Sequence, residues 1–233
     1  MIIVLNNKSN LNKDEYKSYL NNLKKIEMES QMILCPTYLN INNKYPNNII
    51  LGAQNVSSTG DGAFTGEISA KQLKTFNVKY CLVGHSERRE YQNESLNLIA
   101  LKIKRLLEED IIPILCIGET KKERDEGKVK NVLKKEITSA IANISEKDKN
   151  KLIIAYEPIW SIGTGKIPTN SEISEVFSYI KTIMPNSKIL YGGSVNVSNI
   201  DTLQKINLID GYLLGGLSLK PGELKEFQRK LDD

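Results

Sequence analysis

Leu152-Ile153-Ile154-Ala155-Tyr156-Glu157-Pro158-Ile159-Trp160-Ser161-Ile162-Gly163-Thr164-Gly165-Lys166 is the stretch on which the fold turns. Its first five residues are apolar or β-branched without polar alternation, the pattern of a strand buried on both faces, and such strands belong to parallel sheets covered by helices. Pro158 offers no N–H and biases Glu157 toward extended geometry, so the strand ends there with a carboxylate at its rim. A small-residue loop with two glycines follows. It suits a cover whose N–H groups approach an anion. A strand end followed by an ordinary glycine turn is the plain alternative, and the rest of the chain has to decide between them.

Similar apolar runs recur at Ile2–Leu5, Met32–Cys35, Ile49–Ala53, Tyr80–Val83, Ile111–Ile117, Lys188–Tyr191 and Gly211–Leu214, which makes eight candidate strands. Helical spacing of apolar residues falls between them, at Lys13–Met28, Ser69–Phe76, Leu96–Leu107, Val129–Ile144, Ser171–Ile183, Asn199–Ile206 and Glu223–Leu231. The gap between Cys35 and Ile49 leaves room only for a short or irregular helix. Eight βα units predict a closed (β/α)8 barrel of the TIM type, a single α/β domain over residues 1–233, rather than an open doubly wound sheet.

Composition narrows the function. The chain has 233 residues, 40% hydrophobic, with a formal charge of +4, and its basic residues alternate with acidic ones. Clusters such as Lys102–Arg105 lack interleaved aromatics, so neither nucleic acid nor a membrane is an expected partner. No apolar run approaches the ~18 residues that span a bilayer. Cys35, Cys81 and Cys116 are odd in number and lack C-x-x-C spacing, which predicts reduced, buried thiols in a cytoplasmic protein and no metal site.

In a barrel of this kind, chemistry sits at the carboxyl ends of the strands. Just past the apolar runs stand Asn6 and Lys8, then His85, Ser86 and Glu87, then Glu157 with its glycine loop, then Gly192-Gly193-Ser194, then Gly215-Gly216. His85 is the only histidine, so any imidazole chemistry belongs to it. Removing a proton beside a carbonyl requires a base within reach and donors aimed at the oxygen that gains charge. Ser86-Glu87-Arg88 can begin a helical turn whose N–H groups hold the ring neutral, which predicts titration well below the usual value of about 6.5.

These segments resemble the triosephosphate isomerase family. The matching stretches are Gly52-Ala53-Gln54-Asn55, Gly62-Ala63-Phe64-Thr65-Gly66-Glu67, Val83–Arg89, Cys116-Ile117-Gly118-Glu119-Thr120, Ala155–Lys166, Tyr191–Asn196 and Gly215-Gly216, in the family's order. The resemblance implies cofactor-free interconversion of dihydroxyacetone phosphate and glyceraldehyde 3-phosphate through an enediolate, a step of glycolysis and gluconeogenesis. The pairing of a glutamate base with a neutral histidine is this family's known chemistry and not a reading of spacing. By resemblance Glu157 is the base, His85 the electrophile and Lys8 the fixed cation, with Asn6 beside it. Backbone N–H groups of Gly163, Ser194, Gly215 and Gly216 are implied to hold the phosphate. Ile162 and Leu213 would flank Glu157 under the closed loop, although core packing rivals that role for Leu213. A homodimer is implied too, with the 62–67 loop inserted into its partner and Thr65 making the contact.

Three departures stand out: Asn7 where the family usually has tryptophan, Ser161 and Leu217 where alanine is common, and a shortened region from Tyr38 to Pro46. Two other functions compete. One is a phosphate-binding barrel lyase that forms a Schiff base at Lys8; the other is a silent or moonlighting barrel that only binds.

Overall fold

In the computed structural model, which describes residues 1–26, 29–41 and 44–232, the strands close into one all-parallel barrel in sequence order. They are β1 (Ile2–Asn6), β2 (Gln31–Cys35), β3 (Ile49–Ala53), β4 (Tyr80–Val83), β5 (Ile112–Ile117), β6 (Ile153–Tyr156), β7 (Lys188–Tyr191) and β8 (Gly211–Leu214). The ring closes where β1 pairs with β8, with Val4 opposite Leu213. That closure depends on Gly211, because a Cβ there would fall 2.0 Å from the carbonyl oxygen of Ile2.

Around the barrel lie α1 (Lys13–Leu23), α2 (Ala70–Thr75), α3 (Ser86–Tyr91), α4 (Leu96–Glu108), α5 (Lys121–Asp125), α6 (Val129–Ala140), α7 (Glu146–Lys149), α8 (Asn170–Ile183), α9 (Ile200–Leu203) and α10 (Pro221–Asp232). Four of them begin with a reciprocal capping box, Asn12 with Glu15, Ser69 with Gln72, Thr120 with Glu123 and Thr169 with Glu172. Each box satisfies orphan N–H groups at a helix start and sets where the helix begins. Between β2 and β3 the helical element among the described residues is the 3-10 turn Tyr38–Asn40, which agrees with the short spacing there. Within the shortened 38–46 region, residues 42 and 43 lie outside the described residues, as do Met28 at the end of the first expected helix and Asp233 at the end of the expected domain.

Because side chains alternate along a strand, each strand feeds two cores. Val4, Ile33, Leu82, Ile114, Leu190 and Leu213 pack inside the barrel. Ile3, Leu5, Leu34, Leu115, Ile154 and Tyr212 pack outward against the helices. On β1 this alternation turns Asn6 inward and Asn7 outward. Leu213, expected beside Glu157 under the loop, belongs to the interior packing and is 2% exposed.

Candidate active site

Glu157 is fixed from behind. Its N–H donates to the Ile117 carbonyl at 2.8 Å, and the N–H of Gly192 donates to the preceding carbonyl, Tyr156 O, at 2.9 Å. The side chain is 7% exposed. Its Oε2 lies 3.6 Å from His85 Nε2, and its Oε1 is buried with no hydrogen-bond partner among the described residues. A carboxylate oxygen desolvated without a donor is costly in a purely structural residue. Cys116, on β5, faces the same carboxylate; burial first, and then Glu157, push its thiol well above the usual range.

His85 is the N-cap of α3, and its Nδ1 accepts from the N–H of Glu87 at 3.3 Å. That bond requires an unprotonated Nδ1, so the neutral ring carries its proton on Nε2, toward Glu157. The ring's titration departs from the expectation. Burial is the largest influence and pushes it down, but the charge and hydrogen bond of Glu157, together with Glu87, outweigh burial and the opposing Lys8, and the net shift is upward. The sequence points to the helix start after His85 but not to a carboxylate arriving from β6. The sign gives a test. Glu157→Gln removes the principal raising influence, so the single histidine's NMR titration should move to lower pH, and an unchanged midpoint would show that the two groups do not interact.

Lys8 has left-handed backbone (φ 52), uncommon for a residue with a side chain. Two bonds hold it there: its N–H donates to Asn6 Oδ1 at 3.1 Å, and its carbonyl accepts from Gln54 Nε2 at 2.8 Å. Its ammonium group lies 2.6 Å from Glu87 Oε1, and Glu87 Oε2 lies 3.6 Å from His85 Nδ1. Lys8, Glu87, His85 and Glu157 thus form one contiguous string of ionisable groups. Ser86, the other expected supporting residue, opens α3.

The expected anion cradle lies on the same rim. Among the described residues, the N–H groups of Gly163, Ser194 and Gly215 have no intramolecular acceptor. Gly216 begins the 3-10 turn Gly216–Leu219. Lys8 reaches this side as well, since a Cβ on Gly215 would sit 3.4 Å from Lys8 Cε. Residues 163–166 are exposed, while Ser161 at their base is fully buried. The loop is engaged with the one after β7: Gly165 N–H donates to Ser194 Oγ at 3.3 Å, and Ser194 Oγ donates to the Ser161 carbonyl. Ile162 is half-buried.

Several contributors had no assigned role in the sequence. Arg89 donates to the Gly84 and Cys116 carbonyls, each at 2.7 Å, and pairs with Glu136 at 2.5 Å, tying the His85 turn to β5. Glu119 is fully buried and accepts from Arg124 Nε at 2.9 Å, Trp160 Nε1 at 2.9 Å and Tyr156 OH at 3.1 Å, which anchors the start of the glycine loop. The available signal was position, since Glu119 and Gln54 both stand just past a strand.

Comparison with known proteins adds an independent line. A family profile described as "Triosephosphate isomerase" matches residues 1–231. The triosephosphate isomerase of Mycoplasmopsis pulmonis is 40% identical over 234 aligned residues, covering 94% of this chain and 93% of the relative. That of Endomicrobium trichonymphae is 41% identical, covering 82% of this chain and 81% of the relative, and that of Alkaliphilus metalliredigens is 44% identical, covering 74% and 73%.

Proposed function

Because the chain belongs to the triosephosphate isomerase family, and is an isomerase that interconverts triose phosphates, we propose that Glu157, His85 and Lys8 perform the proton transfers of that reaction. The observation that carries this is the buried, unpartnered Oε1 of Glu157 in the same group whose Oε2 faces His85 Nε2. Glu157 takes a proton from C1 of dihydroxyacetone phosphate. His85 directs Nε2–H at the C2 oxygen as that oxygen gains charge, and Lys8 stabilises it electrostatically. The hydroxyl proton on O1 passes to O2 by way of His85 Nε2, Glu157 returns its proton to C2, and glyceraldehyde 3-phosphate leaves.

The upward shift of His85 is compatible with a neutral electrophile. Once Glu157 has taken the substrate proton it is uncharged, and its raising influence disappears at the step where the ring must act as a neutral donor. The phosphate is held by the N–H groups of Gly163, Ser194, Gly215 and Gly216, with Asn6 beside Lys8. Ile162 and the rest of the loop exclude water, which protects the intermediate from losing phosphate. Lys8 is ion-paired with Glu87, an arrangement that does not favour a Schiff base.

The working unit is a homodimer in the cytoplasm. Supporting this are exposed apolar side chains on loops after β2 and β3, Leu39 at 94% and Phe64 at 47%, beside the proposed contact residue Thr65. The three cysteines are free and buried, and no helix among the described residues is long and apolar enough to cross a membrane.

A coupled assay with glyceraldehyde 3-phosphate tests the reading. Turnover by the native chain should exceed that of Glu157→Gln by at least about 10³-fold; equal rates would remove the isomerase mechanism built on Glu157.

A further inference from the structure

Asn7 lies between two residues of the site yet points away from it, on the helix side of β1, and is 1% exposed. Its Nδ2 is 3.2 Å from Ser218 Oγ and 3.3 Å from Tyr19 OH. Both hydroxyls have already committed their single protons. Ser218 Oγ donates to the Asn6 carbonyl at 3.1 Å, and Tyr19 OH donates to the Ser218 carbonyl at 2.8 Å. Each therefore offers Asn7 only lone pairs, and the amide nitrogen is the atom that has to face them. The amide's other end fits a side chain held for its donors: among the described residues, Oδ1 is buried with no partner. A leucine of similar volume would avoid that cost if packing were the only task.

The network joins two parts of the rim. On one side is the end of β1, which carries Asn6 and Lys8. On the other is the 3-10 turn Gly216–Leu219, where Ser218 N–H donates back to the Gly215 carbonyl at 2.9 Å. Tyr19 fastens both to α1.

We propose that Asn7 is a positioning residue which, through Ser218 and Tyr19, holds the phosphate-facing backbone of Gly215 and Gly216 in register with Asn6 and Lys8. The proposal rests on the phosphate site described above. The grip on the phosphate then depends on a side chain that never touches the substrate.

Asn7→Leu keeps the volume and removes both donors; Ser218→Ala removes one oxygen and is the milder change. Steady-state kinetics with glyceraldehyde 3-phosphate and competitive inhibition by inorganic phosphate are measured for each variant and for the double variant. Both single variants should raise KM and the phosphate inhibition constant together by about tenfold, the effect of one interior hydrogen bond, with kcat within about twofold. The double variant should be no worse than the more damaged single one, since both changes break one network. A fall in melting temperature with KM and phosphate inhibition unchanged, in either variant that folds, overturns the proposal. So does a loss confined to kcat. If the native chain turns over normally beside such variants, the proposal alone fails; if the native chain does not turn over, the functional reading beneath it fails as well.

Discussion

Glu157→Asp loses on the order of 10²-fold or more in kcat, with the barrel intact. Shortening the side chain retracts the carboxylate by about one carbon–carbon bond, and the backbone cannot follow to restore its position. Glu157 N–H is bound to the Ile117 carbonyl, Pro158 follows immediately, and Gly192 N–H holds the Tyr156 carbonyl on the other side. The retracted oxygen would leave the point where Oε1 now waits without a partner, and a proton transfer between adjacent carbons tolerates little displacement of the base. The change removes one buried methylene, whose stability cost of about 1 kcal/mol is too small to unfold the chain. Circular dichroism and the coupled assay on the same sample separate the two effects. Near-native turnover by the aspartate variant would refute the assignment of Glu157 as the base.

Strands and helices were not equally legible in the sequence. All eight strands were found, with ends displaced by at most one residue, because a strand buried on both faces is a continuous apolar run and its limits are where that run stops. Helix ends were read too long where apolar spacing outlasts helical backbone. Val129–Ile144 was expected and α6 stops at Ala140, yet Ile141 and Ile144 still pack against the core from the turn that follows. Asn199–Ile206 was expected and α9 stops at Leu203, while Ile206 remains buried. Burial periodicity records which residues face the core and does not require the backbone to stay helical.

The site divides in the same way. Asn6, Lys8, His85 and Glu157 could be found because each stands at or just past the end of a strand, and the barrel topology makes that position meaningful. The work of Gln54 and Arg89 could not, since both bind backbone carbonyls of other strands and those partners exist only once the ring has closed. The direction of His85's titration is hidden in the sequence for the same reason: the decisive neighbour comes from a strand that is not adjacent to its own.

Gly192→Ala is expected to lower kcat by about 10²-fold while leaving the melting temperature nearly unchanged. In sequence, Gly192 is one of the small residues just past the seventh apolar run, on the rim expected to hold an anion. In the structure its lack of a side chain makes room for Glu157: a Cβ there would lie 2.5 Å from Glu157 Cγ, 3.1 Å from Cδ and 3.2 Å from Oε2. Gly192 is not among the residues with left-handed backbone, so alanine meets no conformational penalty and the cost is steric. What yields is settled by rigidity, because the backbone on both sides is pinned by the Tyr156 and Ile117 carbonyls, whereas the Glu157 side chain can rotate. It moves away from His85 and from the reacting carbons. A double variant then discriminates. In a Glu157→Gln background, adding Gly192→Ala should cause little further loss, because the group it displaces has already been disabled. Full multiplication of the two losses would mean that Gly192 acts elsewhere, and undiminished kcat in the single variant would mean that the position of Glu157 described here is not the one from which it reacts.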